Sequence, residues 1–332
     1  MSASASPLTL DEARALRAAG DWPTLVARAA VVEDEALLRE PEVAWHTAVA
    51  ARRVGQAGRA LALARLLEPV ARLRGERRLI ADVVNLTGVV LWESGRAAEA
   101  EVRFAELLEA ATEWGNEDDV AAACNNLGVL ANVRGRRDLA LTYYQRALAA
   151  YQRLGSVAGL SQTHHNLGIS YRDLGFGREA DTHFRRAIEL AGEAEREDVV
   201  ALAEAERAGL RAAWGDGKLA GEMARRALER FQRISDPTGA AQAIRILGLA
   251  AHADGDLSAA ESRFDEALAI ARSHNDALLR AEVQRDRGQL LREMNRVDDA
   301  RDAFTDSIVH FEQIGAAAEA EALRVMVEAL TP

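Results

Sequence analysis

Cysteine is nearly absent from this 332-residue chain: Cys124 stands alone. A disulfide within the chain is therefore impossible, and nothing marks an oxidising compartment. Proline is scarce, at six residues, which leaves long stretches free to run as helix. Aromatic residues make up 5%, so most of any core must come from aliphatic side chains. Lysine occurs once, as Lys218, and every other basic residue is arginine; that skew reflects genome composition and not a site. No apolar run reaches the ~18 uninterrupted residues of a membrane helix. The opening segment through Pro7 has neither a basic stretch nor an apolar core, so it does not read as a secretory signal. These absences lead to the expectation of a cytoplasmic protein, with no membrane partner and a flexible N-terminus over 1–8. Positive charge is also in deficit. With 41 basic against 52 acidic residues, the net charge is −11, and nucleic acid is an unlikely partner.

What the chain has is alanine, the commonest residue by far, and a forty-residue period. Stepping by forty from Ala48 gives Gly88, Gly128, Gly168, Ala208, Gly248 and Gly288. Seven residues later the column reads Gly55, Gly95, Gly135, Gly175, Gly215, Gly255 and Asn295. Alanine fills the next column without exception, from Ala60 to Ala300. Four residues beyond it stand Ala64, Phe104, Tyr144, Phe184, Ala224, Phe264 and Phe304. The first column lets two helices approach closely. The Gly/Asn column marks a chain reversal at positive φ, where Asn is the usual substitute. The alanine and aromatic columns share one helical face. Each unit is thus helix, tight turn, helix. A second break recurs at Gly115, Gly155, Ser235-Asp236-Pro237, Asn275 and Gly315.

Asn126-Leu127-Gly128, Gly135, Ala140, Tyr144 and Ala147-Leu148 resemble the tetratricopeptide repeat signature, as do Asn166-Leu167-Gly168, Gly175, Ala180, Phe184 and Ala187-Ile188. The forty-residue length is similar to that of kinesin light chain, cell-polarity adaptors and bacterial peptide-pheromone receptors. The resemblance implies an all-α, right-handed superhelical solenoid of antiparallel hairpins. Its expected parts are a short unit over 9–41, seven units over 42–314 and a capping helix over 316–330, all in one domain over 9–332. Thr9 and Glu12 have capping-box spacing at the start. Glu204, Arg207 and Arg211 stand where apolar residues are expected, so the unit at 200–235 should be looser or kinked.

Patterns that would carry chemistry fail. Gly175-Phe-Gly177-Arg-Glu-Ala180 and Gly215-Asp-Gly217-Lys-Leu-Ala220 satisfy a dinucleotide-loop spacing, but a helix precedes each where a strand is required. His164 and His165 point about 100° apart on a helix and cannot share a metal. Cys124 falls on the inter-helix seam and reads as a buried thiol. The expectation is no enzyme, no cofactor and no metal.

The resemblance implies that the first helices of the hairpins line a ligand-binding concave groove. Positions three before, one after and four after the small column form one stripe per helix. Over seven units this stripe holds five arginines, two histidines and no carboxylate. From it, Asn85, Trp92, Asn125, Asn132, His165, Arg172, Arg245, His252, Arg285 and Arg292 are the candidate binding residues. Asparagine can pair with a peptide backbone without reading its sequence, and arginine pairs bidentately with carboxylates. The expected function is a non-enzymatic protein- or peptide-binding scaffold, its partner an acidic segment or a free C-terminus. The alternative is the sensing module of a bacterial regulatory system acting on a separate effector. The competing reading of the stripe is a solvated face neutralised by Glu42, Asp82, Glu93, Asp173, Glu282 and Glu293.

Overall fold

The computed structural model describes residues 8–330. The expected flexible segment lies outside the described residues but for Leu8, which is buried. Among the described residues there are eighteen α-helices and no strand. After α1 (Leu10–Ala18), α2 (Trp22–Ala30) and the short α3 (Asp34–Leu37), seven hairpins follow. They are α4 (Pro41–Arg53) with α5 (Ala57–Arg74), α6 (Arg77–Glu93) with α7 (Ala97–Trp114), and α8 (Glu117–Val133) with α9 (Arg137–Leu154). Next come α10 (Val157–Asp173) with α11 (Gly177–Glu193), and α12 (Glu197–Ala213) with α13 (Gly217–Arg233). The last two pair α14 (Pro237–Ala253) with α15 (Leu257–Ser273), and α16 (Ala277–Glu293) with α17 (Val297–Gln313), before α18 (Ala317–Ala329). The chain divides into two compact units, Met1–Ala123 and Cys124–Pro332, with the division inside α8.

The turns obey the sequence columns and add to them. Gly55 and its successors have positive φ, and Asn295, the predicted substitute, has φ 59°. The break between hairpins also needs positive φ, which falls on Glu195 (φ 53°), Ser235 (φ 55°) and Asn275 (φ 52°) where glycine is missing. Thr9 caps α1 by accepting from the Glu12 amide at 3.3 Å. The unit at 200–235 corrects the expectation of looseness: α12 and α13 are unbroken helices of 17 residues. Their polar side chains have found partners. Arg207 donates to Asp181 on α11 at 2.8 Å, and Glu204 accepts from Arg230 on α13 at 2.8 Å.

Five of the seven hairpins are clamped by a ring lying on a glycine. A Cβ added at Gly88, Gly128 or Gly168 would stand 2.5 Å from the ring of Phe104, Tyr144 or Phe184, and Gly248 and Gly288 face Phe264 and Phe304 in the same way. Where the small column holds Ala48 or Ala208, the ring column holds Ala64 or Ala224. Glycine goes with a ring and alanine with alanine, because the gap between the two helices takes one bulk only. Tyr144, Phe184, Phe264 and Phe304 are all essentially fully buried. The seam also contains Cys124, fully buried, whose thiol is pushed up to about 11 by desolvation.

Gly168→Ala should therefore destabilise the protein by about 1–3 kcal/mol through overpacking, although alanine is the better helix former by about 1 kcal/mol. Gly209→Ala, also mid-helix but with its nearest neighbour 4.0 Å away, should stabilise by about 0.5–1 kcal/mol. Chemical denaturation measures both. In a Phe184→Ala background the cost of Gly168→Ala should vanish; a cost that persists there would show that the ring is not its cause.

Candidate ligand-binding cavity

The second unit carries an open cavity of about 490 Å³. Its floor and walls come from the first helices α8, α10, α12, α14 and α16, and the level contributed changes along the stack. Counted from the small column, α8 gives positions four and five after it, Asn132 and Val133. α10 gives His165, Ile169, Arg172 and Asp173, while α12 gives Leu202 and Glu206, six and two before. α14 and α16 contribute their N-terminal turns, including Asp236, Gln242, Asp276 and Glu282. A fixed register per helix was the expectation; the twist of the stack instead carries the cavity level along each successive helix.

One side of the cavity is formed by α17 and α18. Phe311, Ala316 and Glu319 line it, and Glu319 accepts from Arg137 at 2.8 Å. A Cβ built on Gly135 would lie 3.2 Å from the Ala318 side chain, and Val133 packs on the cluster of Phe311, Ala316 and Leu323. The second unit thus closes on itself, α18 meeting the turn between α8 and α9.

Of the ten candidate residues, the structure brings Asn132, His165, Arg172 and Arg285 together on this cavity. Asn125 stands behind His165: it accepts from Asn166 at 3.0 Å through its Oδ1, and Asn166 Oδ1 then meets His165 Nδ1 at 3.3 Å. That chain makes Nδ1 the protonated nitrogen of His165 and leaves Nε2 a lone pair, buried and without a partner. His252 faces Glu293 at 2.6 Å, and Arg292 is exposed. Asn85 and Trp92 are half-buried on α6 in the first unit.

Arg245 departs furthest from expectation. It is 4% exposed, donating to Asp286 at 2.5 Å with Glu282 at 3.4 Å. Its charge serves the chain's own carboxylates, so it belongs to the packed lattice and not to an open groove. Arg172 likewise holds Asp173 at 2.8 Å and Glu206. Burial opposes the charge of Arg172, but Glu206 and Asp173 outweigh it and raise the pKa. Burial also opposes the charge of Glu206, yet Arg172 keeps its carboxyl below the usual range. Burial pushes His165 down, against the pull of Glu206, so its ring is neutral at pH 7.

These pairs repeat with one spacing, i to i+41. Arg52 meets Glu93 at 2.6 Å in the first unit. In the second, Asn132 donates to Asp173 at 3.1 Å, and Asn125, Arg245 and His252 pair with Asn166, Asp286 and Glu293. The flanking acids anticipated as neutralisers fill this role at Glu93, Asp173, Glu282 and Glu293. The surface that lines the cavity therefore combines part of the stripe with carboxylates from other columns. Arg137, Arg172 and Arg285 line the cavity against Asp173, Glu206, Asp236, Asp276, Glu282 and Glu319. The carboxylates outside the stripe come from several columns, Glu282 six before the small residue, Glu206 two before and Asp173 five after, and no single column marks them in the sequence.

His164 and His165 do diverge: His164 points to α11 and meets His183, Nδ1 to Nδ1, at 2.9 Å. Among the described residues no three His, Cys, Asp or Glu side chains gather as a metal-binding group. No described helix is long and apolar enough to cross a membrane.

A family model described as tetratricopeptide repeat matches residues 79–153 and 119–193. Residues 79–193 therefore carry tetratricopeptide repeats. No curated protein matches it, whereas solved structures do. The Rap conjugation gene regulator of plasmid pLS20, in complex with the Phr* peptide, is 14% identical with a TM-score of 0.70, covering 85% of this chain and 77% of that one. Aspartyl phosphate phosphatase F from Bacillus subtilis is 13% identical with a TM-score of 0.56, covering 99% and 96%. BtubC from P. vanneervenii is 24% identical with a TM-score of 0.51, covering 68% and 92%. At such identities the likeness is one of fold. It covers the stack of helical hairpins on both sides of the residues that the family model matches.

Two measurements test the electrostatics of this tetratricopeptide stack. Arg245→Ala strips Asp286 of a buried partner and should cost about 3 kcal/mol or more. Arg292→Ala should stay within about 0.5 kcal/mol; equal costs in denaturation would refute the buried assignment. For pH, burial and His183 lower His164 from 6.5 to about 4. The unfolded chain then binds this proton first as pH falls, so stability is full above about 6.5 and is lost progressively towards 4. His164→Gln should flatten the dependence of the melting temperature across that window; an unchanged slope would exclude His164 as a source.

Proposed function

We propose that the second unit is a ligand-sensing module that takes a short peptide into its cavity and passes the change to a separate effector. The observation that carries this reading is the cavity itself, with the polar groups that converge on it. At about 490 Å³ it falls in the ordinary range for small-ligand sites. Its wall mixes aliphatic side chains (Ile169, Leu202, Leu278, Leu279) with convergent polar groups. The likeness to the Rap regulator, solved with a peptide, supports a peptide before other molecules of that size. The expected acidic segment finds little support, since the arginines that would receive it already hold carboxylates. We read the module as non-enzymatic and cytoplasmic; the fold shared with a Bacillus subtilis phosphatase makes hydrolysis of acyl phosphate the activity to assay first against this reading.

A sensor must bind differently to two shapes of itself, and the contact of α18 with the α8–α9 turn is the joint that could differ between them. Ligands selected from a random hexapeptide library should bind the wild type and lose about tenfold or more in affinity on Ile169→Trp, which fills the cavity. Solution scattering should record a change in radius of gyration on saturation. Binding undiminished by Ile169→Trp would remove the cavity from the account. Saturation without a change in scattering would leave a passive scaffold.

A further inference from the structure

The groups lining the cavity are biased towards acceptors, and the sites that could hold an anion are already taken. Two helix N-termini face the cavity, the natural place for a negative group. Both are capped from within: Asp236 accepts from the Gly239 amide at 2.9 Å, and Asp276 from the Leu279 amide at 2.9 Å. Each lining arginine also holds a carboxylate, Arg137 with Glu319, Arg172 with Asp173 and Glu206, Arg285 with Asp286. An incoming carboxylate would have to displace one of the chain's own.

Acceptors, by contrast, are left over. Three arginines against six carboxylates leave the lining at −3, and adding Arg245 with Asp286 behind it changes nothing. Glu282, its side chain 15% exposed, has a single ion pair among the described residues, to Arg245 at 3.4 Å. A carboxylate can accept about four hydrogen bonds, so most of that capacity is unused. Of the buried polar atoms on lining side chains that lack partners, His165 Nε2 and Glu319 Oε2 are acceptors and Arg137 Nε alone is a donor. Beside Glu282 lie Leu278 and Leu279, with Leu202 on α12, which can take an aliphatic stem.

Resting on the peptide-sensing reading above, we propose that the ligand presents a cation on an aliphatic stem, with Glu282 as its principal acceptor. An arginine or lysine side chain and a peptide's free amino terminus share this chemistry. Burying a positive donor here relieves the excess of carboxylates and supplies charge-assisted hydrogen bonds that the chain cannot make for itself.

Titration of the full chain with four probes, followed by calorimetry, tests this. N-butylguanidinium and trialaninamide with a free amino group represent the two cation sources; neutral N-butylurea and glutarate dianion are the comparisons. At least one cation should saturate at millimolar concentration or below, about tenfold tighter than butylurea and glutarate, the effect of one charge-assisted hydrogen bond. The tighter cation identifies the source. Glu282→Gln should cancel the advantage of the cation over butylurea while its melting curve stays cooperative. Should that variant fail to fold, the order of affinities in the wild type decides alone. No saturation by either cation, or glutarate binding as tightly as both, overturns the proposal. Hexapeptides that bind in the cavity without regard to their charge would overturn it too, while leaving the peptide-sensing reading intact.

Discussion

The architecture rests on a ring packed against a helix that offers no Cβ. In five hairpins a phenylalanine or tyrosine covers a glycine of the preceding helix, at a separation that a methyl group would close. This contact sets the distance between the two helices, and the all-alanine column beside it, buried throughout, sets the angle at which the next hairpin can approach. Because the same seam recurs every forty residues, successive first helices are offset by nearly the same step. The polar ladder at i and i+41 follows from that constancy: a side chain can repeat its partner only if the rise repeats.

The same constancy explains what could be read from the sequence. Seams and reversals need particular residue types at particular places, so they leave columns: small, Gly/Asn, Ala, aromatic. The fold and the turn at Asn295 were legible for that reason. Glu195 was not, because a left-handed residue other than Gly or Asn carries no mark. The unit at 200–235 was misread because its polar side chains answer Asp181 and Arg230 on neighbouring helices, and a single helix's pattern cannot display partners from another.

The cavity was half legible. Asn132, His165, Arg172 and Arg285 of the stripe are on its wall, while Glu206 and the two capping aspartates were passed over and Glu282 was read only as a neutralising flank. The reason is geometrical. A column reports one level of every helix, whereas a twisted stack presents a different level of each to its axis. Charge was misjudged for a related reason: an arginine on the right face says nothing of whether a carboxylate one helix away already occupies it. Buried pairs such as Arg245–Asp286 gain little net stability over apolar packing, but they fix which nitrogen and oxygen valences remain for anything that enters.

The meeting of α18 with the turn between α8 and α9 has a topological consequence. A linear array of hairpins frays from its ends, because a terminal repeat has one neighbour where an inner one has two. In the second unit the last helix has gained a second neighbour through Arg137–Glu319 and Ala318, so the unit has lost a free end. A unit without a fraying end holds its cavity walls at a fixed separation, so a guest meets the same lining at every arrival until the contact of α18 parts.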